Sequence, residues 1–397
     1  MTKPWKLAAA AIALAALTAG GARAQTVKLG VVDTYSGPFA SVGEQLDRGI
    51  RLYMKLHEKE LPPGVTLDII RRDDTGPNPE VAKRLAQELI TRDHVQLLAG
   101  TIFTPNALAI APLATEAKVP FIVMNAGTSM ITTKSPYIAR VSFTMWQSNY
   151  PLGAWAVQHG IKKVYSVVSD YGPGIDSDAA FTKGFTAAGG QMVGAVRIPL
   201  ANPDFVPFLQ RAKDAQPDAV FAFVPAGKDA TALMKAFGDL GLKQAGIKLI
   251  GPGDITTDEE LQNMGDVALG VMTMGHYSAA ATRPANVAFV KAYKEEFGTN
   301  EEPGFEVADA YDGMAAIFHV IAAQHGKLDP DETMKLLKGW KDADSPRGAI
   351  MIDPETRDIV QDEHIREVQK VNGRFANVEL DTIPMVKDPW KEQNPQK

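Results

Sequence analysis

The sequence predicts an α/β protein built from two similar, doubly wound halves. Short apolar runs alternate with amphipathic stretches at helical spacing, and this alternation stops and then starts again near residue 163. Such a pattern is typical of parallel strands joined by crossover helices. The length of 397 residues also suits two domains that each bury their own core.

In the first half, apolar runs predict strands at residues 28–32, 67–70, 95–99 and 121–124. Amphipathic spacing predicts helices at residues 44–59, from Asn78 onward and at 107–117. The dipeptide Asn78-Pro79 marks the second helix start, because asparagine caps the first turn and proline suits the first helical position.

The second half repeats the pattern. Strands are predicted at residues 163–168, 192–198, 219–224 and 248–250, and helices at 178–188, 205–215 and 228–240. No Pro/Gly/Ser-rich linker separates the halves, so residues 144–150 are predicted to be a short crossing segment. The last third predicts helices at 285–297, 307–325 and 331–340, and a strand-rich end from residue 350.

The first 24 residues differ from the rest of the chain. Lys3 and Lys6 precede an apolar stretch at residues 7–17, and Ala22-Arg23-Ala24 forms an A-x-A cleavage pattern. These features predict a secretory signal peptide cleaved near Ala24. A membrane anchor is the alternative, but it needs about 20 apolar residues in a row, and the glycines and Arg23 interrupt this stretch too early.

The amino-acid composition disfavours several classes of function. The net charge of −6 gives no clustered basic footprint for nucleic acid or an anionic membrane surface. Because the chain has no cysteine, it has no disulfide, no thiol nucleophile and no lipid-modified N-terminal cysteine. The mature protein is therefore expected to be free in the periplasm.

Enzyme signatures are missing from the sequence. It contains no G-x-S-x-G elbow, no P-loop and no H-E-x-x-H motif. The triplets 172–174 and 251–253 read Gly-Pro-Gly after a strand but lack the third glycine of a dinucleotide fingerprint. The acidic pairs Asp73-Asp74 and Asp176 with Asp178 are interpreted as solvated turns and caps.

Ligands of open parallel sheets bind beyond the carboxyl ends of the strands, so the loops there are the candidate site. These loops are at residues 35–38, 101–106, 125–129, 170–172, 225–228 and 251–254. They carry hydroxyls, glycines and backbone donors at helix starts, which suit a carboxylate or another small anion. No catalytic set is evident in them, and we expect neither a cofactor nor a metal.

The chain resembles the periplasmic solute-binding proteins of the branched-chain amino-acid (Leu/Ile/Val-binding-like) ABC transporter family, which have the type I periplasmic binding protein fold. The matching pieces are Ser36-Gly37-Pro38 with Gly43, Asp73-Asp74, the loop ending in Thr104, Ala126-Gly127-Thr128, Tyr171-Gly172, and the block 348–361 with Thr356-Arg357-Asp358. The order and spacing of these pieces over residues 26–385 indicate the family more specifically than any single piece does.

The resemblance implies two Rossmann-like lobes joined by a three-segment hinge, with crossings near residues 145, 275 and 362. The expected N-terminal lobe is 25–145 plus 276–361, and the expected C-terminal lobe is 146–275 plus 362–397. Ligand would be held between them without covalent chemistry. The closed form would dock on permease subunits of the inner membrane, and a monomer is expected.

The resemblance also implies site residues. Hydroxyls at Thr104 and Thr128 would hold a ligand carboxylate, within the loop Ala126-Gly127-Thr128, where Ala126 would contribute its carbonyl. Tyr171 would close from the second lobe. Local helix capping is the alternative role for the two threonines, and Arg140 is the alternative partner of the carboxylate.

The departures from the family pattern concern the ligand's ammonium group. Gly253 and Pro225 stand where amino-acid binders carry an acidic and an aromatic residue, and Asp254 comes one position late. This favours an acid without an α-amino group, although an amino acid stays open. Aromatic residues on or beside the loops suggest a ring that Asp254 could recognise through a hydroxyl: they are Tyr35, Phe39, Phe103, Trp146, Tyr171 and Tyr277.

The leading hypothesis is an ABC importer's binding protein for an aromatic acid of the benzoate, hydroxybenzoate or phenylpropanoid type. Its alternatives are a branched-chain or other amino-acid binding protein and a receptor-linked sensor. From another class, an exported enzyme with a cryptic site would be distinguished by turnover of the bound ligand.

Overall fold

The computed structural model describes residues 25–395, so the predicted signal peptide lies outside the described residues. One five-stranded sheet has the order β2-β1-β3-β4-β5 and is parallel throughout. Its strands are β1 (Gln25–Asp33), β2 (Val65–Asp73), β3 (Leu97–Gly100), β4 (Phe121–Val123) and β5 (Ile138–Arg140). The helices of this half are α1 (Ala40–His57), α2 (Pro79–Glu88) and α3 (Thr104–Ala117).

A second sheet contains the strands of the repeated pattern, β6 (Lys163–Ser169), β7 (Gln191–Ile198), β8 (Ala219–Phe223), β9 (Lys248–Pro252) and β10 (Met272–Gly275). They run parallel in the order β10-β9-β8-β6-β7. The accompanying helices are α4 (Met145–Gln158), α5 (Gly172–Ala187), α6 (Val206–Asp214), α7 (Lys228–Asp239) and the short α8 (Leu261–Met264).

The last third adds α9 (Pro284–Phe297), α10 (Phe305–Ala323), α11 (Pro330–Leu337), β11 (Lys341–Asp342), β12 (Ile350–Ile352), β13 (Ile359–Val371), β14 (Arg374–Val386) and α12 (Pro389–Gln393). Strand β13 pairs antiparallel with β12 at Ile359 and Val360, and with β10 at residues 364–367. One continuous strand therefore links the β11-β12 hairpin to the second sheet.

Local chemistry explains the element boundaries. The side chain of Asn78 accepts a hydrogen bond from the Val81 N–H at 3.4 Å, which confirms the predicted cap of α2. At α4, Thr144 and Gln147 form a reciprocal capping box, in which each side chain accepts from the other's backbone N–H.

Three boundary predictions are wrong. Residues 145–150 belong to α4 instead of a crossing segment, because the capping box starts a helix that continues through Pro151. Helix α5 starts at Gly172, not at residue 178, since Pro173 is tolerated in a first turn. The short helix α12 follows β14, where the sequence indicated only strands.

The α/β class and the parallel strands of both sheets agree with the sequence prediction, although the strands β11 to β14 pair antiparallel and make the second sheet mixed. The division into lobes at residues 145, 275 and 361 stays a prediction, and the pairing of β13 with both β12 and β10 supports its third crossing. Between residues 25 and 395, no helix is both long and apolar enough to cross a membrane.

Candidate ligand-binding site

Two predicted hydroxyls meet at one edge of the first sheet. Thr104 opens α3 after β3, and Thr128 follows β4, the neighbouring strand. Their Oγ1 atoms lie 2.9 Å apart, and both residues are buried. Because parallel strands end at the same edge of a sheet, residues 24 positions apart form one hydroxyl pair.

Arg140, at the end of β5, holds the loop that carries Thr128 through hydrogen bonds. Its Nη1 donates to the carbonyls of Ala126 and Thr128, each at 2.9 Å, and its Nε donates to Asp358 Oδ1 at 2.8 Å. Arg140 is fully buried, and these contacts occupy its Nε and Nη1 groups. The Ala126 carbonyl, predicted to serve a ligand, has one lone pair left.

Gly127 lets this loop pack closely. A Cβ at this position would lie 2.8 Å from a ring carbon of Phe143, and the Gly127 carbonyl accepts from the Met145 N–H at 2.9 Å. A larger residue would displace the loop and with it the hydroxyl of Thr128.

The two predicted lobes touch at this hydroxyl pair. A Cβ on Gly172, the first residue of α5, would lie 2.7 Å from Thr128 Oγ1 and 3.1 Å from Thr104 Cγ2. A second contact brings Gly227, before α7, opposite Ser41 of α1, whose Oγ would be 3.4 Å from a Cβ there. The two predicted lobes therefore contact each other at both places in the described structure, an arrangement that we call closed.

Asp73 and Asp74 cap a turn as the sequence suggested, because they accept hydrogen bonds from the N–H groups of Thr75 and Gly76, but Asp74 and Asp176 also make contacts with distant parts of the chain. Asp176 accepts a hydrogen bond from the Ser129 N–H at 2.9 Å, which joins α5 to the loop after β4. Burial raises the pKa of Asp176 to about 6. Asp74 is fully buried and accepts from Thr34 Oγ1 and Asn106 Nδ2, each at 2.6 Å. Both carboxylates hold backbone or side chains in place, a role that local sequence does not reveal.

Two predicted aromatic residues lie on elements that border the hydroxyl pair. Phe103 is buried immediately before Thr104 and packs edge-on against Phe39, with ring centroids 4.9 Å apart. Tyr171 is half-buried immediately before Gly172 and stacks on Phe223 at 6.0 Å. Burial, followed by the negative charges of Asp254 and Asp229, raises the pKa of Tyr171.

Apart from Phe39, which packs on Phe103, three predicted aromatic residues remain, and of these Tyr277 lines a small cavity with Asp254. Tyr277 is fully buried, and its ring packs edge-on against Phe289. Trp146 stacks on Tyr150 of the same helix. Tyr35 is half-buried, and its N–H donates to Asp73 at 2.9 Å.

The place predicted for an ammonium-binding acid is occupied by an arginine that the sequence analysis missed. A Cβ on Gly253 would lie 2.7 Å from Nη2 of Arg366, which is 1% exposed and donates to Thr273 Oγ1 at 3.1 Å. Pro225 is buried in the loop after β8. The signal for Arg366 in the sequence is an arginine inside the strand-rich end, but nothing local indicates that it reaches Gly253.

Asp254 is 8% exposed and is the second residue of a short 3-10 helix, Gly253–Thr256, after β9. Burial raises the pKa of its carboxyl to about 7, and the nearby Arg366 opposes the shift. Asp254 also lines a cavity with Phe143, Gly275 and Arg366, one from each predicted crossing segment.

Metal chemistry finds no support in the part of the chain that the structure describes. Residues 25–395 contain no group of three or more His, Asp or Glu side chains arranged to hold a metal ion. The arrangement of hydroxyls, one carboxylate and aromatic faces can bind a small organic acid.

A family model described as periplasmic binding protein matches residues 26–373. The chain belongs to this family. Its fold is that of the type I periplasmic binding proteins, which confirms the resemblance, and it is a solute-binding protein of the ABC transporter type.

Individual relatives agree with the family. The chain is 44% identical over 385 residues to the Leu/Ile/Val-binding protein homolog 6 of Brucella melitensis, covering 97% of this chain and 98% of the relative. It is 51% identical to an ABC transporter solute-binding protein from Rhodopseudomonas palustris BisB5, solved with 3,4-dihydroxybenzoic acid, with a TM-score of 0.89 and coverage of 92% and 99%. A protein from R. palustris HaA2, solved with p-hydroxybenzoic acid, shares 45% identity, with a TM-score of 0.90 and coverage of 93% and 100%.

Proposed function

We propose that this protein captures an aromatic carboxylate between its lobes and delivers it to the permease of an ABC importer. The observation that carries the proposal is the guanidinium of Arg366 behind Gly253. A Cβ at Gly253 would lie 2.7 Å from Arg366 Nη2, so the place of the family's ammonium-binding acid carries no carboxylate and lies against a buried guanidinium instead. Without that acidic partner for a ligand ammonium, the site favours an acid without an amino group.

The carboxylate end of the ligand is assigned to Thr104 and Thr128. Their paired hydroxyls can turn their protons toward an anion, and the start of α3 adds a favourable dipole. Hydrogen bonds to a charged group contribute roughly 1.5–3 kcal/mol each. Two such bonds suffice to orient a small acid in the cleft.

We assign the ring to contacts with Phe103 and Tyr171, which directly precede Thr104 and Gly172, and a ring hydroxyl to Asp254. Aromatic pairs in such an arrangement contribute about 0.5–1.5 kcal/mol beyond the area they bury. Asp254 has a mostly buried carboxyl that a phenolic hydroxyl can bind. Solved relatives at 51% and 45% identity are complexes with dihydroxybenzoic and hydroxybenzoic acids, which supports a hydroxylated ring.

The proposal also includes export of the protein to the periplasm and its docking on the permease. The signal-peptide pattern at residues 1–24 supports a periplasmic location after cleavage near Ala24. The closed contacts at Gly172 and Gly227 support closure around the ligand, and the closed form presents both lobes to permease subunits. The protein would act as a monomer.

Calorimetry with the mature protein tests this function by titrating 4-hydroxybenzoate, benzoate and leucine side by side. We expect one-to-one binding in the order 4-hydroxybenzoate, benzoate, leucine, and no product from the bound acid. Asp254→Asn should reduce the preference for 4-hydroxybenzoate over benzoate. Tight leucine binding without a response to either aromatic acid would establish the amino-acid alternative, which the name of the Brucella relative favours. Turnover would establish an enzyme.

A further inference from the structure

The C-terminal segment, residues 387–393, packs against the first half of the chain. Lys391 of α12 is 4% exposed, and its ammonium contacts Asp358 Oδ2 and Thr132 Oγ1. Thr132 lies 259 residues earlier in the chain. An ammonium so deeply buried needs such partners, because burying a charge without them is costly.

Asp358 connects this lysine to the candidate site. Its Oδ2 faces Lys391, while its Oδ1 accepts from Arg140 Nε at 2.8 Å and lies 2.7 Å from Arg140 Nη2. Arg140 in turn donates to the carbonyls of Ala126 and Thr128. A continuous chain of buried polar contacts thus runs from the C-terminal segment to the loop that carries Thr128.

The same segment also reaches the second half of the protein. Gln393 Oε1 accepts a hydrogen bond from Lys183 Nζ of α5, the helix that begins at Gly172. Lys387 forms an ion pair of 2.9 Å with Asp353, but its side chain is half exposed. Lys387 therefore offers a matched lysine on the same segment that lies outside the buried chain of contacts.

We propose that Lys391 is a positioning residue for the ligand carboxylate, acting through Asp358 and Arg140 on the loop of Thr128. This inference rests on the proposed function, since it assigns the carboxylate to that loop. With Lys391 neutralised, Asp358 loses one of its two cations and can turn away from its present geometry. Arg140 then holds the two carbonyls less rigidly, and the Thr128 hydroxyl and neighbouring amides leave their binding positions.

The test compares Lys391→Gln with Lys387→Gln, and Lys391→Arg serves as the rescue. By calorimetry, Lys391→Gln should bind 4-hydroxybenzoate about 2- to 30-fold more weakly, the range for residues that act through a connected network. Lys387→Gln should stay within about twofold of the unmodified protein, because Asp353 still accepts hydrogen bonds from the N–H groups of Glu355 and Thr356. Lys391→Arg should recover most of the loss, because it restores a cation beside Asp358.

A readout without ligand separates this proposal from the proposed function. Amide hydrogen exchange should be faster at residues 125–130 in Lys391→Gln than in Lys387→Gln, with both proteins unliganded. If the unmodified protein binds no aromatic acid, the proposed function fails, while the exchange comparison still decides whether Lys391 positions the loop. If Lys391→Gln does not fold, Thr132→Val removes one partner of the ammonium and should shift exchange in the same direction. Equal affinity and equal exchange in Lys391→Gln and Lys387→Gln would overturn the proposal.

Discussion

Adding one methyl group at Gly172 should weaken ligand binding without unfolding the protein. In the closed arrangement, a Cβ on this residue would lie 2.7 Å from Thr128 Oγ1, whereas ordinary contacts begin at 3.4 Å. Gly172→Ala therefore forces the lobes apart by about 0.7 Å at this point, or turns Thr128 away from Thr104. Overpacking of this kind costs about 1–3 kcal/mol.

The clash of the new methyl group with Thr128 destabilises only the closed form, because opening of the lobes removes it. Binding that requires closure should accordingly weaken by about 5- to 150-fold. The apparent melting temperature of the unliganded protein should change little, since the rest of α5 tolerates alanine at a first-turn position. Scattering of the liganded variant should report a less compact particle than that of the unmodified protein.

Calorimetry with 4-hydroxybenzoate measures the effect, and Ile175→Ala on the same helix is the control. Ile175 is 40% exposed, so its truncation should leave the affinity within about twofold. If Gly172→Ala binds as tightly as the unmodified protein, α5 does not press on the hydroxyl pair in the liganded state. The assignment of the carboxylate to Thr104 and Thr128 would then lose its geometric basis.

Four further outcomes are expected. Thr128→Ala should weaken binding about 10- to 100-fold by calorimetry without unfolding the protein, and unchanged affinity would place the carboxylate elsewhere. Small-angle scattering should show compaction on adding saturating 4-hydroxybenzoate, and identical curves would contradict closure by a hinge. Arg140→Met should lower the free energy of unfolding by about 3–5 kcal/mol in a guanidinium titration, because it leaves Asp358 buried without this partner; a loss below about 1 kcal/mol would refute that account. The pKa of Asp254 is about 7 in the folded protein, above its ordinary value, so the folded state binds this proton more tightly than the unfolded chain. The stability that the protonated Asp254 contributes is complete below about pH 4 and is lost as the pH rises through 7. The melting temperature should therefore fall less between pH 6 and 8 in Asp254→Asn than in the unmodified protein. Parallel melting curves of the two proteins against pH would contradict the raised pKa.

The sequence by itself determined most of the secondary-structure order and the loops that border the candidate site, but it did not indicate β5, β10 or α12. Alternating periodicities indicate parallel sheets, and Asn78-Pro79 marks a helix start, because these signals are local properties of the chain. Thr104 and Thr128 were predictable for a related reason. The carboxyl ends of parallel strands share one edge, so residues that follow neighbouring strands meet there.

Only the tertiary structure determined which buried side chains contact the residues and loops of the candidate site. Arg366 fills the place beside Gly253, Asp176 binds the Ser129 N–H, and Lys391 completes the contacts of Asp358. Each of these contacts joins elements far apart in the sequence, and a lysine or arginine side chain is long enough to reach any of several neighbours. A buried charge is paired with the groups that the packed fold brings within hydrogen-bond distance. The local sequence does not indicate which groups these are.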